Sequence, residues 1–297
     1  MPFLLIRLGG LGDLLVTLPS LNLIRKSRPD AQLNLFCRET YGRFFEETEI
    51  VETIVPSSSA EFSPLFGPTP YPKDTQKWLD KFSAILGWMS KGKGFNYGRF
   101  ITYDPNSGLP ISRFFFDKTV EFLGGDGKKL YAFEDYCFFP RVPSGNTSGF
   151  RQNAEFSKAG KYAVLHPGSG SRKKCWPLSR FLEIAERLSR KGMKGMMVTG
   201  EAEEWLEPKF SRLPSGWRRE HCPPLKRLAA LLSRCLFYLG NDSGVTHLAA
   251  SCRANVVALY LEKNLPAWRP YGRVKVLQGD SIEEIQTEDV WKAVGSL

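Results

Sequence analysis

The chain has 297 residues, 41 Lys+Arg against 31 Asp+Glu and a formal net charge of +10. With 42% apolar and 24% charged residues it is neither disordered nor fibrous, and its length suits two domains of about 150 residues or one large one. The apolar stretches are broken by charge or glycine, as by Arg7 and Asp13 between Pro2 and Leu18, so none reaches the roughly 18 to 20 residues of a membrane span.

From the amino terminus, Phe3 to Leu8 reads as a buried strand and Gly9-Gly10-Leu11-Gly12-Asp13 as a glycine turn. Leu14, Leu15, Leu18, Leu21 and Ile24 then form the apolar face of one helix. Ala31 to Phe36 and Val51 to Val55 read as further strands, and the helical stretches between them give right-handed βαβ units on a parallel sheet. Ser57 to Pro72 is a loop by composition, Lys77 to Met89 is helical in pattern, and Phe100 to Tyr103 is a strand. Pro140 to Gly160 reads as an exposed linker, which sets a boundary near residue 150 and domains of 1–150 and 151–297.

The second half repeats this grammar. Tyr162 to Leu165 reads as a strand, His166 to Ser171 as a Gly/Ser loop and Leu178 to Arg190 as a helix. Gly195 to Thr199 is a strand, Leu225 to Ser233 a helix, Leu236 to Leu239 a strand, Val245 to Ser251 a helix and Asn255 to Tyr260 a buried strand. Both halves are α/β, with loops at the carboxyl ends of strands where open parallel sheets bind ligands.

The absence of a secretory signal pattern in the first 20 residues makes the cytoplasm the expected compartment. Six scattered cysteines without a CxxC are expected to be reduced thiols. No HExxH or DxD occurs, so no metal is expected. The charge is spread in short groups such as Arg172-Lys173-Lys174, which favours an anionic partner without naming one, and no nucleic-acid module is recognisable.

Glycines ahead of a helix admit a phosphate to the helix amino terminus, and both Gly9-Gly10-Leu11-Gly12 and Gly168-Ser169-Gly170 have this form. Leu15 replaces the third glycine of a dinucleotide fingerprint and no Walker loop is present, which disfavours a nicotinamide oxidoreductase or a P-loop enzyme. Asp13 is either a carboxylate complementing its helix dipole or a general base. Lys174 is either a solvated cation or the charge that offsets a departing diphosphate, with Arg172 and Lys173 as lesser helpers. Asp242 or Ser243 is a helix cap, or the Ser243 and Gly244 amides hold a second phosphate with His247 one turn on. Arg113-Phe114-Phe115-Phe116-Asp117-Lys118 reads as a core-facing element with solvated flanks more readily than as a membrane contact.

Four segments together carry a resemblance. Gly12-Asp13 with Thr17-Leu18-Pro19-Ser20-Leu21 comes first, then His166-Pro167-Gly168-Ser169-Gly170 with Lys174-Cys175-Trp176-Pro177. Asn241-Asp242-Ser243-Gly244 with His247-Leu248-Ala249-Ala250 and Trp268-Arg269-Pro270-Tyr271-Gly272 follow. In this order they resemble glycosyltransferase family 9, the ADP-heptose:lipopolysaccharide heptosyltransferases.

The resemblance implies a GT-B fold of two facing Rossmann-like domains with parallel sheets, the first for the acceptor and the second for the nucleotide sugar, with a C-terminal helix that often crosses back. It implies an inverting transfer without metal or other cofactor, from a nucleotide sugar, ADP-heptose above all, to a lipopolysaccharide-core-like acceptor. Contact with the cytoplasmic face of the inner membrane accompanies it as an expectation. By position, Asp13 is the implied base, with Gly10 and Gly12 in the acceptor-side loop, and Lys174 is the implied cation at the donor phosphates. Gly168, Ser169, Gly170, Asp242, Ser243, Gly244 and His247 are the implied donor loops. Glu203 is the implied ribose acid across a one-residue gap that leaves Glu201 and Glu204 open. Phe100 to Ser107 departs from the family's Asp-x-Gln-Gly segment, so the acceptor is not carried over. A GT-B protein that binds nucleotide or phosphoglycan without turnover is the alternative reading.

Overall fold

The computed structural model describes residues 1–89, 96–124, 131–140, 142, 162–201, 203–205 and 213–297. The chain divides into two compact units, Met1–Arg141 and Val142–Leu297. The boundary read near residue 150, and most of the linker read around it, lie outside the described residues.

The first unit runs β1 (Pro2–Ile6), α1 (Leu11–Leu15), α2 (Leu18–Ser27), β2 (Gln32–Cys37), α3 (Glu39–Glu47), β3 (Thr53–Pro56), α4 (Lys73–Leu79), β4 (Ala84–Met89), β5 (Arg99–Thr102) and α5 (Ile111–Phe122). Its five strands pair in parallel in the order β3-β2-β1-β4-β5, with Phe3 between Leu33 and Ala84. The chain winds outward from β1 to β3 and then returns to β4 on the other side of β1, so the winding reverses between β1 and β4. Leu4 and Ile6 of the central strand are buried with Phe36, Val55 and Ile85.

Two expectations are corrected here. The single helix expected after the first strand is two helices, because Pro19 enters in the first turn of α2 and has no N–H with which to continue the ladder. At the break, the Thr17 hydroxyl donates to the Leu14 carbonyl at 2.6 Å. The segment from Lys77 to Met89 is helical only to Leu79, and Ala84–Met89 is a strand between β1 and β5. A continuous apolar run such as Ile85-Leu86-Gly87-Trp88 has no period of its own, and only its neighbours decide its form. The aromatic run from Arg113 to Lys118 lies on α5, with Phe115 and Phe116 buried and Arg113 paired to Asp117 at 2.9 Å.

The second unit runs β6 (Tyr162–His166), α6 (Leu178–Arg190), β7 (Lys194–Thr199), β8 (Trp217–His221), α7 (Leu225–Leu232), β9 (Phe237–Asn241), α8 (Gly244–Ser251), β10 (Val256–Leu261), α9 (Leu265–Trp268), β11 (Val274–Gly279) and α10 (Thr287–Gly295). Its parallel sheet has the order β11-β10-β9-β6-β7-β8, with Leu165 beside Leu239. The winding therefore reverses between β6 and β9. All six residues of β10 are buried, as a strand covered on both faces requires. Leu178, Phe181, Ile184, Ala185 and Leu188 place one apolar face of α6 on this core.

The edge strands β8 and β11 escape the sequence reading: Trp217-Arg218-Arg219-Glu220-His221 buries only its tryptophan, so no alternation marks it. The last helix, α10, packs on α6, β10 and β11 of its own unit, with Val290 buried and Arg187 bonded to Glu288 at 2.6 Å. Among the described residues, no helix is long and apolar enough to cross a membrane.

Candidate active site

In open parallel sheets the natural ligand crevice lies outside the carboxyl ends of the strands where the winding reverses. The residues singled out from the sequence fall at that point in each unit.

In the first unit, β1 ends at Ile6 and the chain turns through Gly9 and Gly10 into α1. Gly9 has φ of 119°, and a Cβ there would stand 2.5 Å from Asp13 Oδ2, so this position requires glycine twice over. Gly9→Ala is expected to displace the Asp13 carboxylate and destabilise the unit by about 1–3 kcal/mol, read as a lower midpoint in thermal unfolding. The Gly10 N–H donates to Asp13 Oδ2 at 3.0 Å, so Asp13 does complement the start of its own helix. Gly12 lies in the first turn of the same helix. The Asp13 side chain remains 28% exposed, so solvent still reaches it.

The partner of Asp13 is a residue that the sequence reading treats only as an interruption of an apolar run. Arg7 is 2% exposed. Its Nη2 donates to Asp13 Oδ1 at 2.8 Å, its Nε to the Asp13 carbonyl at 2.8 Å and its Nη1 to the Trp88 carbonyl of β4 at 2.9 Å. The guanidinium also lies 5.3 Å from the centre of the Phe115 ring. Burial pushes the Arg7 pKa down from its ordinary value, while the Asp13 charge opposes that shift. A charge one residue beyond a strand of buried apolar residues was the available signal.

In the second unit, β6 and β9 deliver two loops to the reversal point. Asn241, fully buried at the end of β9, ties them together. Its Nδ2 donates to the carbonyls of Pro167 at 2.9 Å and Gly168 at 3.3 Å, and its Oδ1 accepts from the Trp176 N–H at 3.1 Å. Ser169 Oγ completes the seam by donating to the Asp242 carbonyl at 2.6 Å. Asn241→Ala leaves one buried N–H and two carbonyls without this partner. It is expected to cost about 2–4 kcal/mol in denaturant unfolding and to loosen both loops.

Glu203 is 3% exposed, and its Oε2 accepts from the Gly200 N–H at 2.6 Å. A Cβ on Gly168 would lie 2.1 Å from the Glu203 carboxyl carbon, so the glycine admits this acid against the loop. Glu201 and Glu204 are exposed, and Glu203 is the one of the three acids drawn inward. Behind it His166 is buried, with Nδ1 2.9 Å from the Val198 carbonyl. Burial pushes its pKa below the ordinary 6.5 against the opposing charge of Glu203. A Cβ on Gly170 would meet open space.

Lys174 closes a short 3-10 turn, Arg172–Lys174, and its Nζ lies 2.8 Å from Asp242 Oδ2. That oxygen also accepts from Asn264 Nδ2 at 3.0 Å. The structure thus joins two of the expected donor-site residues in an ion pair. Asp242 thereby gives the Lys174 ammonium a counter-charge of opposite sign. Arg172 and Lys173 are exposed, with the Arg172 guanidinium 4.8 Å from the centre of the Trp205 ring.

Ser243 is the cap of α8, its hydroxyl accepting from the Thr246 N–H at 3.3 Å, and Gly244 begins the helix. Helix α8 therefore presents its first N–H groups beside Lys174, a donor set fit for an oxyanion. His247, a buried residue of this helix, has its ring edge-on to Trp268 at 6.4 Å, and the Trp268 carbonyl accepts from the Tyr260 hydroxyl at 3.1 Å. The Trp268 motif thereby joins the end of β10.

All six cysteines are free, and burial is the main force pushing each thiol above its ordinary 9.0, Cys175 to about 11 and Cys37 to about 12. Among the described residues, no group of three or more His, Cys, Asp or Glu side chains is placed to hold a metal ion.

The sequence is 24% identical over 153 residues to lipopolysaccharide heptosyltransferase 3 of Escherichia coli, 47% of this chain and 44% of that protein. The chain matches less than half the length of the Escherichia coli relatives. It is 21% identical over 299 residues to lipopolysaccharide heptosyltransferase 1 of Pseudomonas aeruginosa, covering 94% of this chain and 84% of that protein.

Among solved structures, a family 9 glycosyltransferase from Veillonella parvula superposes with a TM-score of 0.79 at 18% identity, covering 99% of this chain and 96% of the other. ADP-heptose lps heptosyltransferase II of E. coli superposes with a TM-score of 0.76 at 15% identity, over 100% and 98%. These likenesses bear out the α/β, GT-B fold class. The model of glycosyltransferase family 9 (heptosyltransferase) matches residues 140–290, just over half of the sequence. The chain belongs to glycosyltransferase family 9.

Proposed function

We propose that the protein is an inverting glycosyltransferase that moves a heptose from ADP-heptose to a lipopolysaccharide-core-like acceptor, without a metal ion. The first unit takes the acceptor and the second the nucleotide sugar. Asp13 removes the proton from the acceptor hydroxyl, whose oxygen attacks the anomeric carbon as the bond to the diphosphate breaks. Lys174 and the first N–H groups of α8 offset the charge that grows on the departing diphosphate. Gly168, Ser169 and Gly170 form the neighbouring loop, and Glu203 lies beside it for the ribose.

The observation that supports this reading most is the joining of Lys174 to Asp242 at 2.8 Å beside the amino terminus of α8, at the winding reversal of a parallel sheet. The family membership and the ADP-heptose named for the E. coli structural neighbour support the donor. With cations and amides supplying the charge, a metal has no required task. The +10 charge suits a phosphorylated acceptor and contact with the cytoplasmic face of an anionic inner membrane.

Incubation with ADP-heptose and purified truncated core acceptors tests the reading, with and without a chelator. Transfer to an acceptor with release of ADP, unchanged by the chelator, is expected. A rate that collapses with chelator and returns with a divalent cation overturns the metal-free step. Intact ADP-heptose with every acceptor, despite tight ADP binding, favours a binding protein without turnover.

A further inference from the structure

Arg7 is costly to bury, and the fold around it makes a purely stabilising role a poor explanation. A guanidinium removed from water loses hydration that its ion pair regains only with well-aligned partners. Here the planar fork is used in full. Nε holds the main-chain carbonyl of Asp13 while Nη2 holds Oδ1 of the same residue, both at 2.8 Å, so one rigid plane fixes the backbone and the carboxylate of Asp13 together. Nη1 anchors that plane to the Trp88 carbonyl in the neighbouring strand at 2.9 Å, and the Phe115 ring backs it at 5.3 Å. The Gly10 N–H holds the second carboxylate oxygen. Each oxygen thus has a fixed donor, while the side chain stays 28% exposed on the side open to solvent.

We infer that Arg7 is the positioning residue of the transfer reaction: it aims the Asp13 carboxylate at the acceptor hydroxyl by holding that residue with two nitrogens of one guanidinium plane whose third nitrogen is braced on β4. The inference rests on Asp13 being the base. A base acts through its placement as much as its basicity, because a carboxylate displaced by an ångström no longer reaches the proton in the attacking geometry. Lysine carries the same charge on a single nitrogen and cannot span the Asp13 carbonyl, the Asp13 carboxylate and the Trp88 carbonyl in one plane.

The test is a double-mutant cycle in the full-length protein, with kcat, donor KM, ADP affinity and thermal midpoint read for each variant. Arg7→Met is expected to lower kcat by about 10²-fold with donor KM and ADP affinity within about twofold, since the donor residues lie in the other unit. Arg7→Lys should regain part of that loss. The Arg7→Met/Asp13→Asn pair should be no slower than Asp13→Asn alone, because nothing remains to be aimed. Losses that multiply in the double variant, or a loss that falls equally on ADP binding, overturn the inference and leave Arg7 structural. If Arg7→Met does not fold, Arg7→Lys carries the test, and wild-type kcat in that variant overturns it. Full turnover in Asp13→Asn removes the base itself. An inactive Asp13→Asn beside a fully active Arg7→Met removes only the role of Arg7.

Discussion

Asp13→Asn is expected to lower transfer by about 10³-fold or more while ADP affinity stays within a few-fold, read by product formation and by calorimetric titration. The amide keeps the size of the carboxylate, and its Oδ1 still accepts from Arg7 or from the Gly10 N–H, so the helix start and the strand end stay in place. What is lost is the ability to take a proton. Asp13→Ala should match that rate loss and add a loss of stability. It strips the buried Arg7 of its charged partner, which costs about 2 kcal/mol, below the roughly 3–5 typical of fully buried pairs because Asp13 is 28% exposed. Equal activity of Asp13→Asn and the wild type would remove the base assignment. A stability loss in Asp13→Ala with an intact rate would leave Asp13 as no more than a helix cap.

Lys174→Met carries the second large effect. Removing the cation is expected to lower kcat/KM for the nucleotide sugar by about 10²–10³-fold, because Lys174 is the cation that the Asp242 ion pair holds beside the α8 amino terminus. The substitution also leaves the buried Asp242 carboxylate, 6% exposed, without its cation and with the Asn264 amide as its remaining side-chain partner among the described residues. The Lys174→Met/Asp242→Asn variant separates the two consequences. It should restore stability and leave the donor defect, since the neutral amide needs no counter-charge but supplies none to a phosphate. Donor kinetics unchanged in Lys174→Met would reduce Lys174 to a structural partner of Asp242.

Much of the fold was legible before the structure. Apolar runs bounded by Gly, Pro and Asp marked β1, β2, β6, β7, β9 and β10, because strands buried on both faces have nothing but apolar residues to show. Helix α6 matched its expected span, Leu178 to Arg190, since its apolar positions keep a single face over 13 residues. The order of the glycine loops and of Asp13, Lys174 and Asp242 was legible too, and it sufficed for the family. β4 was not, because Ala84 to Met89 carries no period that separates a buried strand from a buried helix. β8 was not either, because an edge strand rich in Arg and Glu has no partner pattern on its outer side.

The sequence by itself determined the α/β class, the glycine turns ahead of helices and the residue types available for acid-base and phosphate chemistry. Each of these depends on neighbours a few positions apart. Only the tertiary structure decided what those residues do to one another. It made Arg7, a break in an apolar run, the buried plane that holds Asp13, paired Asp242 with Lys174, and drew Glu203 inward while Glu201 and Glu204 stayed exposed. The Arg7–Trp88 and Lys174–Asp242 pairings join strand ends and loops far apart in the chain, and they exist because winding that starts at a central strand and reverses brings the ends of β1 and β4, and of β6 and β9, side by side.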